Sequence, residues 1–320
     1  MSKSLVVVDG IKKTFLIDSG FLGSKKSVKA VNHVSFEIKE GETFSLVGES
    51  GCGKSTTGRL VTRLLTPDEG KIWINQEEIS KMNENRLREV RKQVQMVFQD
   101  PYASLNPRMK IREIVGEPLV IHTKLSAAER EKIVEEMLDV VGLNSYHADK
   151  FAHEFSGGQR QRIGIARALI LKPKLIVADE PVSALDVSIQ SQILNLLKDL
   201  QEEFQLTYLF ISHDLSVVEH ISDKIGVMYL GSLVESGPKE SIFANPQHPY
   251  TKALLSSVPI PDPRAKRERI ILQGDVPSPV NPPSGCLFHT RCPYSMDMCK
   301  STVPRLREIE VGGHFVACHL

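Results

Sequence analysis

The sequence predicts an α/β protein with a largely parallel sheet. A strand-like apolar run at residues 43–47 leads into a glycine-rich stretch at 48–56, and a helical pattern follows it. Two further apolar runs, at 175–178 and 207–212, each end at a pair of charged or titratable residues. Because open parallel sheets bind ligands at the carboxyl ends of their strands, we expect these features to share one edge.

The stretch 48–56 matches the pattern G-x-x-x-x-G-K-S/T at every fixed position. Its glycines let successive N–H groups point at one spot, and the following helix adds the positive end of its dipole. This combination predicts a nucleotide site, in which Lys54 contacts the β and γ phosphates and the Ser55 hydroxyl ligates Mg²⁺. The residues predicted to bind nucleotide here are Gly48, Glu49, Ser50, Gly51, Cys52, Gly53, Lys54, Ser55 and Thr56.

Composition and charge narrow the function classes. The chain has 320 residues and a net charge of +1, which gives no electrostatic reason to expect nucleic acid as the main partner. The first apolar run, at 5–8, is too short for a signal peptide, and no stretch approaches the roughly 18 apolar residues of a membrane helix. We therefore expect the chain to stay in the cytosol.

The N-terminal third predicts strands at 5–8 and 34–38 and a hairpin at 71–76, which gives an antiparallel β component. Phe15 can stack on a purine or serve as an ordinary packing residue. After a strand at 94–98 the pattern turns helical up to about residue 172, which predicts a helical subdomain inserted into the α/β core. One helix there opens at a capping box beginning at Ser126 and closes at Gly142. Its predicted apolar face contains Ile133, Met137, Val140 and Val141.

A second helix N-terminus and a carboxylate pair follow. Ser156 is a natural N-cap, and Gly157 and Gly158 leave the first amides open to an anion; a plain capped helix explains the serine but not both glycines. Asp179 and Glu180 end a buried strand, where paired carboxylates usually serve a cation or a reaction. His213 ends the next strand in the same way.

The sequence of the C-terminal part predicts a hairpin at 225–235, short helices at 239–244 and 249–257, and a proline-rich linker at 258–285 that carries a basic cluster at 264–269.

Four of the five cysteines lie in the segment 286–320, and in a reducing compartment such clustering favours metal over disulfides. An iron–sulfur cluster, structural zinc and free thiols are the alternatives, and no C-x-x-C pair is present. The candidate ligands are Cys286, Cys292, Cys299 and Cys318, with His289, His314 and His319 as possible substitutes.

Over residues 1–257 these motifs resemble the ATP-binding subunits of ABC transporters, which have a P-loop NTPase core. The sequences at 98–107 and 245–254 and the cysteine-bearing tail are most similar to one of the two kinds of ATP-binding subunit in dipeptide and oligopeptide permeases, the kind called F. The expected organisation is an ATPase domain at 1–257, with its helical subdomain at about 100–172, the linker at 258–285 and the cysteine-rich extension at 286–320.

The resemblance implies a role for each motif residue. Asp179 would hold Mg²⁺, Glu180 would be the general base, His213 would contact the γ phosphate, and Gln99 would touch the metal or the attacking water. The signature that completes the ATP site of a partner ATPase is similar to Ser156, Gly157, Gly158 and Gln159, and Asp186 matches the loop that couples the two sites. The resemblance also implies a 4Fe–4S cluster on the four cysteines, with zinc as the alternative.

The implied function is that of an ATPase that drives peptide import from the cytoplasmic face of the membrane. Its partners would be a second, distinct ATPase in a head-to-tail dimer, two transmembrane subunits and, indirectly, an extracellular or periplasmic binding protein. Nickel and glutathione are alternative cargoes. A soluble ABC-type ATPase that acts on nucleic acid or the ribosome is the alternative from another class.

Overall fold

A computed structural model describes residues 3–17, 26–258, 269–310 and 312–320. Its strands are β1 (Ser4–Ile17), β2 (Lys26–Lys39), β3 (Thr43–Val47), β4 (Glu69–Ile74), β5 (Glu77–Glu78), β6 (Val94–Val97), β7 (Leu175–Asp179), β8 (Thr207–Ile211), β9 (Lys224–Tyr229), β10 (Ser232–Pro238), β11 (Arg307–Glu310) and β12 (His314–Val316). Its α-helices are α1 (Lys54–Val61), α2 (Glu84–Gln93), α3 (Ile111–His122), α4 (Ala127–Val140), α5 (Gly157–Leu169), α6 (Val187–Phe204), α7 (Leu215–Ile221), α8 (Lys239–Ala244), α9 (Pro249–Ser256) and α10 (Asp297–Ser301). None of the helices in these ranges has the length and hydrophobicity needed to cross a lipid bilayer.

The chain divides into two compact units. The inserted unit consists mainly of residues 82–211, with 39–41 and the N-terminal residue described before β1. The loop-bearing unit consists of the described residues within 4–38, 42–81 and 212–320. The predicted cysteine-rich extension at 286–320 falls within this second unit, together with the glycine-rich loop.

The inserted unit contains a parallel sheet in the order β6, β7, β8. Every residue of β7 and β8 is buried, which explains why both read as continuous apolar runs rather than as alternating patterns. Asp179, the last residue of β7, pairs in register with Ile211, the last residue of β8. Both strands therefore end together, at the edge where the sequence predicts ligand-binding residues.

Helix α4 confirms the predicted capping box, since the Ser126 side chain accepts from the Glu129 N–H while the Glu129 carboxylate accepts from the Ser126 N–H. The predicted apolar face is shifted by about one residue, because Ile133 and Val140 are only half-buried. Successive helical residues are about 100° apart, so this small shift replaces two of the four predicted residues, while Met137 and Val141 remain on the buried face. The buried row contains Val134, Met137, Leu138 and Val141.

The loop-bearing unit contains an antiparallel sheet in the order β2, β1, β4, β5. The predicted hairpin is confirmed, and its turn residues Asn75 and Gln76 both have left-handed φ angles, of 50° and 70°. Strand β1 runs well beyond the predicted 5–8. A register shift between Asp9 and Lys12 interrupts its alternation of buried and exposed residues, and the sequence pattern ends there.

The same unit contains a second sheet, in which β3 and β9 are parallel and β10 runs antiparallel to β9. Strand β12 pairs with β10, and β11 pairs with β12. The last residues of the chain thus extend the sheet that carries the glycine-rich loop. Residues 269–285 of the predicted linker contain neither helix nor strand, and residues 264–268 of the basic cluster lie outside the described residues.

Candidate nucleotide-binding site

The loop between β3 and α1 is closely surrounded by backbone. Gly48 has a φ of 149° and Gly53 one of 104°, and a Cβ atom at either position would overlap a carbonyl oxygen, of Met228 and of Ala30 respectively. Residues with a side chain cannot occupy these two positions without displacing the neighbouring strand, β9 at Gly48 and β2 at Gly53. At Gly48 and Gly53 the loop therefore has only backbone, which leaves the side chains of Lys54 and Ser55 as its polar side-chain groups next to the helix N-terminus.

Lys54 is the first residue of α1 and is 4% exposed. Its ammonium group donates to the carbonyl oxygens of Gly48, at 2.8 Å, and Glu49, at 3.1 Å. Since Gly53 at the N-cap has no side chain, it makes no cap hydrogen bond to the first helical amides. A curled backbone, an ammonium group and a helix N-terminus suit the phosphates of a nucleotide, with the Ser55 hydroxyl in the first helical turn.

His213 lies at the carboxyl end of the same sheet in the loop-bearing unit. The Ser212 N–H donates to the Leu46 carbonyl at 3.1 Å, which aligns this part of the chain with β3 immediately before the loop. His213 follows, exposed, and Asp214 then caps α7 by accepting from the Ser216 N–H at 2.8 Å. The loop and the predicted γ-phosphate contact thus share one edge.

The inserted unit carries the carboxylates. Asp179 is 3% exposed at the end of β7, whereas Glu180 is half-buried and has a left-handed φ of 47°. The Glu180 N–H donates to the Ile211 carbonyl at 2.9 Å, and its carboxylate accepts from the Gln99 amide, also at 2.9 Å. The structure therefore brings Gln99 and Glu180, which are 81 positions apart, into direct contact.

Helix α5 begins at the predicted signature. Ser156 and Gln159 form a capping box in which each side chain accepts from the backbone N–H of the other residue. A Cβ atom on Gly158 would lie 2.5 Å from Ile189 Cγ2, in the first turn of α6. The glycine therefore has a packing function within the chain, which the sequence alone did not indicate. A contact of Gly157 and Gly158 with a partner's nucleotide stays a prediction.

Two other predicted contacts lie on the surface. Asp186 is exposed at the N-cap of α6, and its side chain makes no cap hydrogen bond. Phe15 is 36% exposed near the end of β1, with the Lys13 ammonium 5.9 Å from its ring centroid. The stacking of Phe15 on a purine stays a prediction.

The four C-terminal thiols lie near one another. Burial raises the pKa of Cys286 and Cys292, and the charges of the neighbouring cysteines raise it further. Soft thiolate donors suit an iron–sulfur cluster or zinc. Within the described residues, however, no group of three or more His, Cys, Asp or Glu side chains is arranged to hold a metal ion, so the expected ligand set is not assembled.

The three histidines considered as substitute ligands have other partners. His289 Nδ1 lies 2.8 Å from the Cys286 carbonyl oxygen, and His319 Nε2 lies 3.0 Å from the Thr302 carbonyl oxygen. His314 is buried, and its Nε2 lies 2.8 Å from a Glu235 carboxylate oxygen.

Two residues that contact the loop, Tyr250 and Arg291, were not predicted from the sequence. Both contact Glu49, from positions 201 and 242 residues away along the chain. Tyr250 lies inside the stretch 245–254 that carries the family resemblance, so a signal was present without a role attached to it. For Arg291 no local pattern indicates the contact.

Comparison with known proteins defines the class. Residues 31–183 match the family model described as ABC transporter, and residues 234–299 match the one described as oligopeptide/dipeptide transporter, C-terminal region. A dimeric, post-hydrolysis ATP-binding cassette bound to ADP and Pi superposes with a TM-score of 0.65 and 31% identity, covering 73% of this chain and 98% of that one. The protein is thus an ABC-type ATPase that uses ATP and Mg²⁺.

Full-length relatives give the branch within that class. The oligopeptide transport ATP-binding protein AppF of Bacillus subtilis is 58% identical over 322 residues, covering 99% of this chain and 98% of that protein. The dipeptide transport ATP-binding protein DppF of Haemophilus influenzae is 52% identical, covering 97% of this chain and 94% of that protein. The chain belongs to the family of ATP-binding subunits of oligopeptide and dipeptide ABC transporters.

Proposed function

We propose that this protein is the ATP-hydrolysing subunit of an importer for dipeptides or oligopeptides. The observation that carries the proposal is the 58% identity, over nearly the full length of both chains, to a relative named for oligopeptide transport. The match of residues 234–299 to the C-terminal region of such transporters supports the same cargo class. In this proposal the chain acts at the cytoplasmic face of the membrane, through two transmembrane subunits.

The proposed catalytic roles follow the contacts within each unit. Glu180 activates the attacking water as general base, and the Gln99 amide orients its carboxylate. In the loop-bearing unit, Lys54 and His213 stabilise the charge of the transferred phosphoryl group. Mg²⁺ supplies additional charge neutralisation, and its predicted ligands are Ser55, Asp179 and Gln99.

A head-to-tail dimer completes the proposed site. A similar solved structure is described as a dimeric cassette, which supports a dimer here. The signature residues 156–159 then face the nucleotide of the second ATPase, which we propose is a distinct chain. Asp186 couples the two sites in this arrangement.

The test is uptake of labelled peptides by cells that lack this chain. Wild-type protein is expected to restore dipeptide and oligopeptide uptake, whereas Glu180→Gln, which removes the general base, is expected to fail. Restored uptake of nickel or glutathione without peptides would assign a different cargo. ATP hydrolysis that is stimulated by nucleic acid, in a fraction free of membrane subunits, would overturn the transport function and favour a soluble ATPase that acts on nucleic acid.

We also propose that Cys286, Cys292, Cys299 and Cys318 hold a 4Fe–4S cluster, with zinc as the alternative. Their soft donor atoms support this proposal, as does the proximity of Cys286 to the other three cysteines, close enough for their charges to act on it. Protein purified without oxygen is expected to contain iron and sulfide in comparable amounts, which Cys299→Ser lowers and the matched control Cys52→Ser does not. Colourless protein with one zinc ion would favour the alternative, and metal-free protein would exclude both.

A further inference from the structure

Glu49 lies in the glycine-rich loop at 48–56, here called the phosphate loop, and each of its polar groups makes a hydrogen bond. Its carbonyl oxygen accepts from the Lys54 ammonium group at 3.1 Å, and its N–H donates to the Tyr250 hydroxyl at 2.9 Å. Its carboxylate accepts three hydrogen bonds, of 2.9 to 3.2 Å, from the two terminal nitrogens of the Arg291 guanidinium group. Two of these three attachments come from the C-terminal part of the chain.

The pair of Arg291 and Glu49 has the geometry of a strong interaction. The Arg291 side chain is 9% exposed and that of Glu49 is 28% exposed, so water screens the contact less than it screens a surface pair. The guanidinium group contacts both carboxylate oxygens, which fixes orientation as well as distance. The pair therefore restrains the loop at Glu49 more firmly than a single flexible contact can.

Arg291 stands on a hydrogen-bonded turn within residues 286–299, which we call the cysteine segment. The Arg291 N–H donates to the Phe288 carbonyl at 3.0 Å, and the Cys286 N–H donates to the Cys299 carbonyl at 2.8 Å, which ties the two ends of the segment together. The turn thus presents Arg291 from a defined backbone, not from a free loop.

The cysteine segment is anchored on the same core as the phosphate loop. Phe288 is 1% exposed, and its ring centroid lies 5.3 Å from that of Tyr229 and 5.5 Å from that of Tyr250. Val47, the residue before the loop, belongs to this cluster, as do Cys286 and Cys299. Displacement of the segment therefore disturbs both the side chains and the hydrogen bonds that fix Glu49.

The negative charge of Glu49 makes its contact with Arg291 important for ATP binding. Glu49 follows the first glycine of a loop built for phosphates, and its carbonyl holds the ammonium group predicted to contact them. A carboxylate without a partner at this place would repel the triphosphate, because like charges at close range disfavour each other. We propose that the cysteine segment positions the phosphate loop, with Arg291 as the positioning residue that orients and neutralises Glu49.

The test is ATP affinity of the full-length chain, measured by isothermal titration calorimetry. Arg291→Met is expected to raise the Kd for ATP by at least about threefold, because Glu49 loses both its orientation and its countercharge. Adding Glu49→Gln to this variant is expected to recover most of the affinity, since the amide carries no charge. The defect of the single variant is also expected to shrink at high salt, which screens the exposed carboxylate.

The matched control is Lys300→Met. This variant removes an exposed ion pair with Asp297, near the end of the cysteine segment, and that ion pair does not involve Glu49. Its Kd is expected to equal that of the wild type. Arg291→Lys keeps the charge without the two-point contact, so its Kd should lie between those of the wild type and Arg291→Met. If Arg291→Met does not fold, Arg291→Lys replaces it in the test. The proposal is overturned if the Arg291 variants bind ATP normally, or if Glu49→Gln brings no recovery. Transport activity does not enter this measurement, so a wrong cargo leaves the outcome unaffected.

Discussion

Glu180 has a backbone conformation that residues other than glycine rarely adopt. Its φ of 47° lies in the left-handed region, which typically disfavours such a residue by about 1 to 3 kcal/mol. The hydrogen bond from its N–H to the Ile211 carbonyl holds it there, and its carboxylate accepts from the Gln99 amide. Asn75 and Gln76 have similar φ angles in a hairpin turn, so it is the contact with Gln99, and not the φ angle alone, that sets Glu180 apart.

Glu180→Gln is expected to separate binding from turnover. Glutamine keeps the size of the side chain and a hydrogen-bonding oxygen for Gln99 but cannot accept a proton from water. ATP affinity should remain within about twofold of the wild type, while the hydrolysis rate of the assembled transporter falls by about 10² to 10⁴-fold. Single-turnover hydrolysis and nucleotide binding measure the two quantities. Unchanged hydrolysis would remove Glu180 from its proposed role.

His248 makes the stability of the loop-bearing unit depend on pH. Burial lowers the pKa of His248 from 6.5 to about 4, and its Nδ1 accepts from the Tyr250 N–H at the start of α9. The unfolded chain therefore binds the proton more readily, and the free energy of unfolding should fall as pH drops from 6.5 to about 4, by at most about 1.4 kcal/mol per pH unit.

Urea denaturation at a series of pH values measures this slope. His248→Asn is the control, because asparagine can cap the helix without titrating. In that variant the part of the slope due to His248 should disappear. An equal slope in both proteins would show that His248 does not carry the effect.

Among the elements, α5 owes its position to a glycine. Gly158 allows the start of α5 to approach Ile189 in α6, whereas Gly164, further along α5, has open space where a Cβ atom would lie. The two glycines differ in surroundings and share the same helix. Glycine inside a helix is unfavourable by about 1 kcal/mol relative to alanine. The packing against Ile189 explains why Gly158 is nevertheless a glycine, whereas no packing contact explains Gly164.

Substituting each glycine by alanine tests this interpretation. Gly158→Ala is expected to lower the free energy of unfolding by about 1 to 3 kcal/mol, because its methyl group overlaps Ile189. Gly164→Ala is expected to raise it by about 0.5 to 1 kcal/mol through helix propensity alone. Chemical denaturation of both variants decides the matter. Equal effects of the same sign would contradict the packing function.

At the scale of the whole molecule, a monomer is expected to be a poor enzyme. The proposed site needs signature residues from a second ATPase, so a chain kept monomeric should hydrolyse ATP at less than about a tenth of the rate of the assembled transporter. Phosphate release at matched concentrations of sites measures this difference, with Lys54→Met as the background. A monomer with full activity would refute the divided site.

Contiguous motifs were predictable, and distant contacts were not. The phosphate loop is encoded in nine neighbouring residues, so its pattern survives in the sequence without any knowledge of packing. The face of α4 was shifted because Ile133 and Val134 are both apolar, and periodicity cannot choose between adjacent rows. The contact of Arg291 with Glu49 spans 242 positions and depends on how the C-terminal turn packs, which no local pattern records.

The arrangement of the chain also has a consequence for biosynthesis. The loop-bearing unit combines the first quarter of the sequence with its last third, whereas nearly all of the inserted unit is one continuous stretch. Since a ribosome releases the chain from its N-terminus onward, the continuous stretch can fold while the glycine-rich loop still awaits Tyr250 and Arg291. Until Arg291 has been synthesised, the loop lacks its two contacts from the C-terminal part of the chain, so a protein truncated before Tyr250 should bind ATP more weakly than the full-length protein.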